Sequence, residues 1–93
     1  MFNFTGVGQT SDPRRFTGDF NVLVEDNPSG STLVLEYSRD NGVTWKALPR
    51  AGSDITFAVR DSVLIEMRQS FTYRLRCSVY GGTPFIAGLL GSR

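Results

Sequence analysis

The sequence predicts an all-β chain: a single jelly-roll or β-sandwich domain with an extended N-terminal arm. Three observations carry this reading. Apolar residues recur at every second position in most segments, turn-forming residues separate those segments, and no window of adequate length has helical periodicity. At 93 residues there is room for one domain but not for the crossover helices of a parallel sheet. The boundaries expected are residues 1–15 for the arm and 16–93 for the domain.

The arm carries Phe2 and Phe4, then a Gly/Thr/Ser/Asp/Pro stretch ending at Arg14-Arg15, with a short strand expected at Phe2–Thr5. In the first domain strand Phe20, Val22 and Val24 oppose Asn21, Leu23 and Glu25. Leu33, Leu35 and Tyr37 then oppose Val34, Glu36 and Ser38. Ile55, Phe57 and Val59 alternate with Thr56, Ala58 and Arg60, and Val63, Ile65 and Met67 with Leu64, Glu66 and Arg68. The clearest alternation sets Phe71, Tyr73, Leu75, Cys77 and Val79 on an apolar face, with Thr72, Arg74, Arg76 and Ser78 on a polar, basic one. Residues 85–90 are apolar on both faces, which marks either a strand buried on both sides or a segment waiting for a partner; the preceding turn aims it back at the sheet and favours a final strand. Turns are expected at 26–30, 40–42, 49–53, 60–62 and 81–84, each with Gly, or with an Asx or Ser residue that bonds its own backbone.

A chain this short buries only about 60–65% of its unfolded surface, which leaves a marginal core. One cysteine permits no internal disulfide, and the absence of histidine removes the commonest zinc and copper ligand. A homo-oligomer, or docking on a larger body, is the expected support. The net charge of +1 points to no polyanionic partner, so no nucleic acid is expected. Nine of the ten basic residues are arginine, which suits interface cores and equally reflects codon usage in a GC-rich genome. No apolar run approaches the roughly 20 residues of a membrane helix, and no signal peptide is read at the start, so the chain is expected in a cytoplasm or a particle assembled there.

The sharp motif is Ser38-Arg39-Asp40-Asn41-Gly42-Val43-Thr44-Trp45, S-x-D-x-G-x-T-W. Asp40 can bond amides across the turn, Gly42 can take a positive φ, Ser38 and Thr44 suit the strand ends, and Trp45 can cover the hairpin. The pattern resembles the Asp box of sialidases and related propellers, which implies a structural hairpin. A propeller needs roughly four or more four-stranded blades, and this chain has one box. The carboxylates fall in turns or on polar strand faces without paired spacing, and Cys77 lies on an apolar face as an inert thiol. Asp26-Asn27 and Asp40-Asn41 lack the spacing of a calcium loop. No catalytic residue, cofactor, metal or small-molecule substrate is expected.

A second resemblance spans roughly residues 16 to 90. It rests on the strand Phe16–Val22, the strand Thr32–Tyr37 running into the Asp box, a strand pair ending at Tyr73-Arg74-Leu75, and Tyr80-Gly81-Gly82-Thr83-Pro84 before a closing apolar strand. This layout is similar to capsid decoration (cement) proteins and related virion accessory proteins of tailed bacteriophages. The resemblance implies a non-enzymatic structural protein on the capsid surface that staples major capsid protein subunits, or other virion proteins, by arm and sheet-edge contacts. The candidate partner interface is Phe2, Phe4, Arg14, Arg15, Arg74, Arg76, Phe85, Leu89, Leu90 and Arg93. Alternatives are a tail or head–tail accessory subunit, and a glycan- or receptor-binding module of a tail fibre with Trp45 and Tyr80 as a sugar platform. Arg39, Arg74 and Arg76 are expected to pair with acidic groups on a sheet face or on a protein neighbour.

Overall fold

The computed structural model describes residues 1–67 and 69–91. Among these described residues eleven strands follow in chain order: β1 (Phe2–Phe4), β2 (Arg14–Phe16), β3 (Phe20–Val24), β4 (Thr32–Ser38), β5 (Lys46–Ala47), β6 (Pro49–Arg50), β7 (Ser53–Asp54), β8 (Thr56–Phe57), β9 (Asp61–Ile65), β10 (Phe71–Val79) and β11 (Phe85–Gly91). They build two antiparallel sheets of order β1-β11-β3-β9 and β2-β10-β4-β5, with β8 also on β4, and a small β6–β7 hairpin. The architecture is a β-sandwich.

Alternation along the strands decides what lies between the sheets. Phe20, Val22 and Val24 of β3, Ile65 of β9, and Phe85, Ala87 and Leu89 of β11 enter from the first sheet. Phe16 of β2, Leu33 and Leu35 of β4, Phe57 of β8, and Tyr73, Leu75 and Cys77 of β10 meet them from the second. Aromatic rings join the layers: the Phe20 ring lies 4.7 Å from Phe16 and 4.4 Å from Tyr73, centroid to centroid. Burial pushes the Cys77 thiol up from its ordinary pKa. Its S–H donates to the Val79 carbonyl at 3.2 Å, as expected of an inert packing residue.

Asp61 and Ser62, expected in a turn, instead open β9, and the structure departs from the expected pattern at three further places. Residues 1–15 do not extend from the domain. β1 pairs β11 through Phe2↔Ala87 and Phe4↔Phe85, and β2 pairs β10 through Phe16↔Phe71 and Arg14↔Tyr73. Between them, Gly8 and Ser11 donate backbone N–H groups to Cys77 and Leu75 carbonyls at 2.8 Å, and the Ser11 hydroxyl accepts the Leu75 N–H at 2.9 Å. A segment rich in Gly and Thr lacks an apolar period yet still satisfies a strand edge through its backbone. Second, the strand expected at Ile55–Val59 is reduced to Thr56–Phe57. Only Phe57 is buried there, and Val59 is 61% exposed. Here the chain leaves the second sheet for the first, so alternation has no single face to follow. Third, Val79 is 52% exposed despite its place in the apolar series. The register slips from Cys77↔Leu33 to Val79↔Thr32, a bulge that shifts the following side chain off the core face.

Candidate functional site

The Asp-box hairpin links β4 to β5. The Ser38 hydroxyl donates to Asp40 Oδ1 at 2.7 Å and accepts the Gly42 N–H at 2.8 Å. Asp40 Oδ1 also accepts the Thr44 N–H at 2.8 Å. Asn41 and Gly42 take φ values of 60° and 91°, the left-handed region that favours Asx and Gly. Trp45 folds back over the turn and donates its indole N–H to the Gly42 carbonyl at 3.0 Å. All five motif residues therefore form the hairpin, and each acts within it.

The Ser38 hydroxyl, then the Thr44 N–H and hydroxyl, hold Asp40 down from an ordinary 3.8 to about 2. A carboxylate lowered in the folded state adds stability that is present above pH 3.8 and is lost as pH falls through about 2. Carboxyl-detected NMR titration is expected to place the Asp40 midpoint near 2. A midpoint at the ordinary value would mean that the hairpin network does not persist in solution.

Behind this turn lies the outer face of the second sheet. Glu36 is opposite Arg74 in the β4–β10 register, and Arg76 is the next residue on the same face. Arg74 Nε and Arg76 Nε each donate to one Glu36 carboxylate oxygen at 2.8 Å. The Glu36 side chain is only 9% exposed, while those of Arg74 and Arg76 are 21% and 37% exposed. The Arg74 guanidinium stacks on the Trp45 ring at 4.2 Å. Arg15, exposed and opposite Thr72, stands on the same face. Pairing of Arg74 and Arg76 with an acidic group on their own sheet is thus realised, whereas the part played by Glu36 was not legible. A lone acid on a strand reads as solvated until the register sets it between two arginines. Of the expected sugar platform, Trp45 is half-buried with the Arg74 guanidinium over one ring face, and a Cβ on Gly42 would sit 3.6 Å from the indole.

The core-directed side of the same hairpin opens into a cleft of about 390 Å³ lined by Tyr37, Arg39, Asp40, Thr44 and Lys46. Among the described residues no group of three or more His, Cys, Asp or Glu side chains is placed to hold a metal ion. Comparisons with protein-family models, curated proteins and solved structures return no match.

The other expected interface residues divide sharply. Phe4 and Phe85 are fully buried and Leu89 is 4% exposed, so these three are core rather than contact residues. Their apolar character, which suggested a partner, is satisfied by the facing sheet. Phe2 is half-buried and packs edge-on to Phe4 at 4.7 Å. Arg14 donates from Nη1 to the Leu89 carbonyl at 2.8 Å and caps the Phe16 ring, which ties β2 to the first sheet. Arg93 lies outside the described residues.

What remains open on the first sheet is its outer face. In the register Leu90 and Leu64 flank Asn21, Gly88 lies beside Leu23, and Ile86 is two residues along from Gly88. Leu64 and Leu90 are 49% and 38% exposed, Leu23 and Ile86 are half-buried, and the Met1 side chain lies over Gly88. Alternation gathers these apolar side chains on one face, with Asn21 and Ser62 among them. Leu23 and Leu64 fall on the solvent side of the expected alternation, whereas residues 85–90, expected as a strand buried on both sides, leave Ile86 half-buried and Leu90 exposed on this face.

Proposed function

We propose that the chain is a non-enzymatic structural protein of a tailed-bacteriophage virion, a capsid decoration (cement) protein that staples neighbouring major capsid protein subunits. The observation that carries the docking role is the apolar outer face of the first sheet, where Leu23, Leu64, Ile86, Leu90 and Met1 stand together. Apolar side chains gathered on an outer sheet face mark protein contact sites. The capsid location rests on the layout of residues 16–90 around one Asp box. With residues 1–15 paired into both sheets, stapling is assigned to sheet faces and open edges. The exposed edge of β9 is available for strand addition.

Two measurements test this. Phage particles assembled without the chain are expected to disrupt at lower temperature than complete ones; equal heat resistance overturns the cement role. Labelled chain imaged on virions is expected over the capsid shell; signal confined to the tail or connector replaces this reading with that of an accessory subunit. Leu64→Lys is expected to abolish attachment to the particle without changing the fold.

A further inference from the structure

We infer that the outer face of the second sheet is a second docking surface, built to take an acidic segment of a partner polypeptide. A particle staple needs a second contact, and this one deepens the proposed role without depending on it.

Glu36 is one carboxylate serving two guanidinium groups. Both of its oxygens are committed, each to one arginine Nε at 2.8 Å. Half of the cationic charge in the trio is therefore unmatched, and Arg15 adds a further positive charge to the same face. Among the described residues the Nη atoms of Arg74 and Arg76 form no hydrogen bond, so each keeps its terminal donor edge for another acceptor. That edge is where an arginine forks a carboxylate.

The arrangement is also held in place. The buried carboxylate anchors both arginines at Nε, and the Arg74 guanidinium packs on the Trp45 ring. Long side chains ordinarily lose rotamer freedom on binding, and here much of that loss has occurred on folding. The acceptor chemistry favours short-range carboxylate contacts over a nucleic-acid track, because a net charge of +1 provides no long-range attraction for a polyanion.

Trp45 is the only tryptophan, so its emission reports on Arg74 directly. The full chain is titrated with an octaglutamate peptide, with octaglutamine and with a dT8 oligonucleotide, following Trp45 fluorescence and the amide resonances of residues 72–78. Octaglutamate is expected to move both signals and octaglutamine neither. Arg76→Ala, which leaves Glu36 its Arg74 partner, is expected to weaken binding about tenfold or more, the worth of one charge-assisted contact. Arg76→Lys falls between, since it keeps the charge and loses the fork. Arg50→Ala, on the separate β6–β7 hairpin, is expected to leave affinity unchanged. Unmoved 72–78 resonances, equal binding by Arg76→Ala, or tighter binding of dT8 would each overturn the inference. This assay contains no particle, so its failure is separate from failure of the capsid role.

Discussion

Phe20→Ala is expected to lower the unfolding free energy by about 3–5 kcal/mol, the usual loss for truncating a buried aromatic. Phe20 is fully buried, and its ring contacts Phe16 and Tyr73 on the opposite sheet, so its removal opens a cavity where the two layers meet. Neighbours anchored in two hydrogen-bonded sheets collapse into such a space only partly. For a domain of this size the total stability is about 5–15 kcal/mol, so the loss is a large share of it. The melting temperature should fall by roughly 12–40 °C, at about 4–8 °C per kcal/mol. Tyr73→Phe in the same cluster should behave oppositely. Among the described residues the buried Tyr73 hydroxyl has no hydrogen-bond partner, and burial pushes its pKa up to about 12. Deleting an unpaired buried hydroxyl removes a desolvation cost of about 1–3 kcal/mol, so this variant should match or exceed the parent in stability. Thermal and urea unfolding followed by circular dichroism would settle both. A loss below about 1 kcal/mol for Phe20→Ala would remove the ring from the load-sharing part of the core.

Gly81→Ala is expected to destabilise by about 2–3 kcal/mol, and more than Gly82→Ala. The reason is a close backbone approach between two turns. A Cβ on Gly81 would lie inside contact distance of the Ser29 carbonyl oxygen, and 3.0–3.1 Å from the Gly30 carbonyl carbon and Cα. All of these are backbone atoms, so no side-chain rotation relieves them. The same glycine donates its N–H to the Ser31 hydroxyl at 2.8 Å, and Ser31 is fully buried beside the buried Pro28. Pushing the turns apart therefore also breaks a buried hydrogen bond. Gly82 sits in open space with a φ of +98°, so Ala there meets conformational strain of about 1 kcal/mol but no collision. Equilibrium unfolding of the two variants side by side checks the order. Equal losses would mean that the 28–31 turn yields at little cost.

The two glycines show how far the sequence reads. Gly81-Gly82 reads as a turn from composition alone, and it is one. Which glycine is indispensable, and why, depends on the 28–31 turn lying against it in space. The all-β class, the Asp-box hairpin and the inward set Phe20, Val22, Val24, Leu33, Leu35, Tyr73, Leu75 and Cys77 follow from local rules. A period of two and a turn with fixed chemistry act over a few residues, so a one-dimensional record contains them.

The remaining features are long-range. Docking of residues 1–15 is decided by which strand edges are left unpaired. The outward placement of Val79 is decided by a bulge against β4. Phe85 and Leu89, apolar enough to suggest a partner, find one within the chain because the second sheet packs on the inner face of β11. Glu36 becomes the anchor of two arginines only when β4 and β10 meet in one register, since a shift of one residue would face it with Tyr73 or Leu75 instead. Fold class, hairpin and most inward-facing residues can be read from residue order, because they depend on neighbours along the chain. Which apolar and charged side chains remain for a partner emerges in three dimensions, because it depends on pairing between residues tens of positions apart.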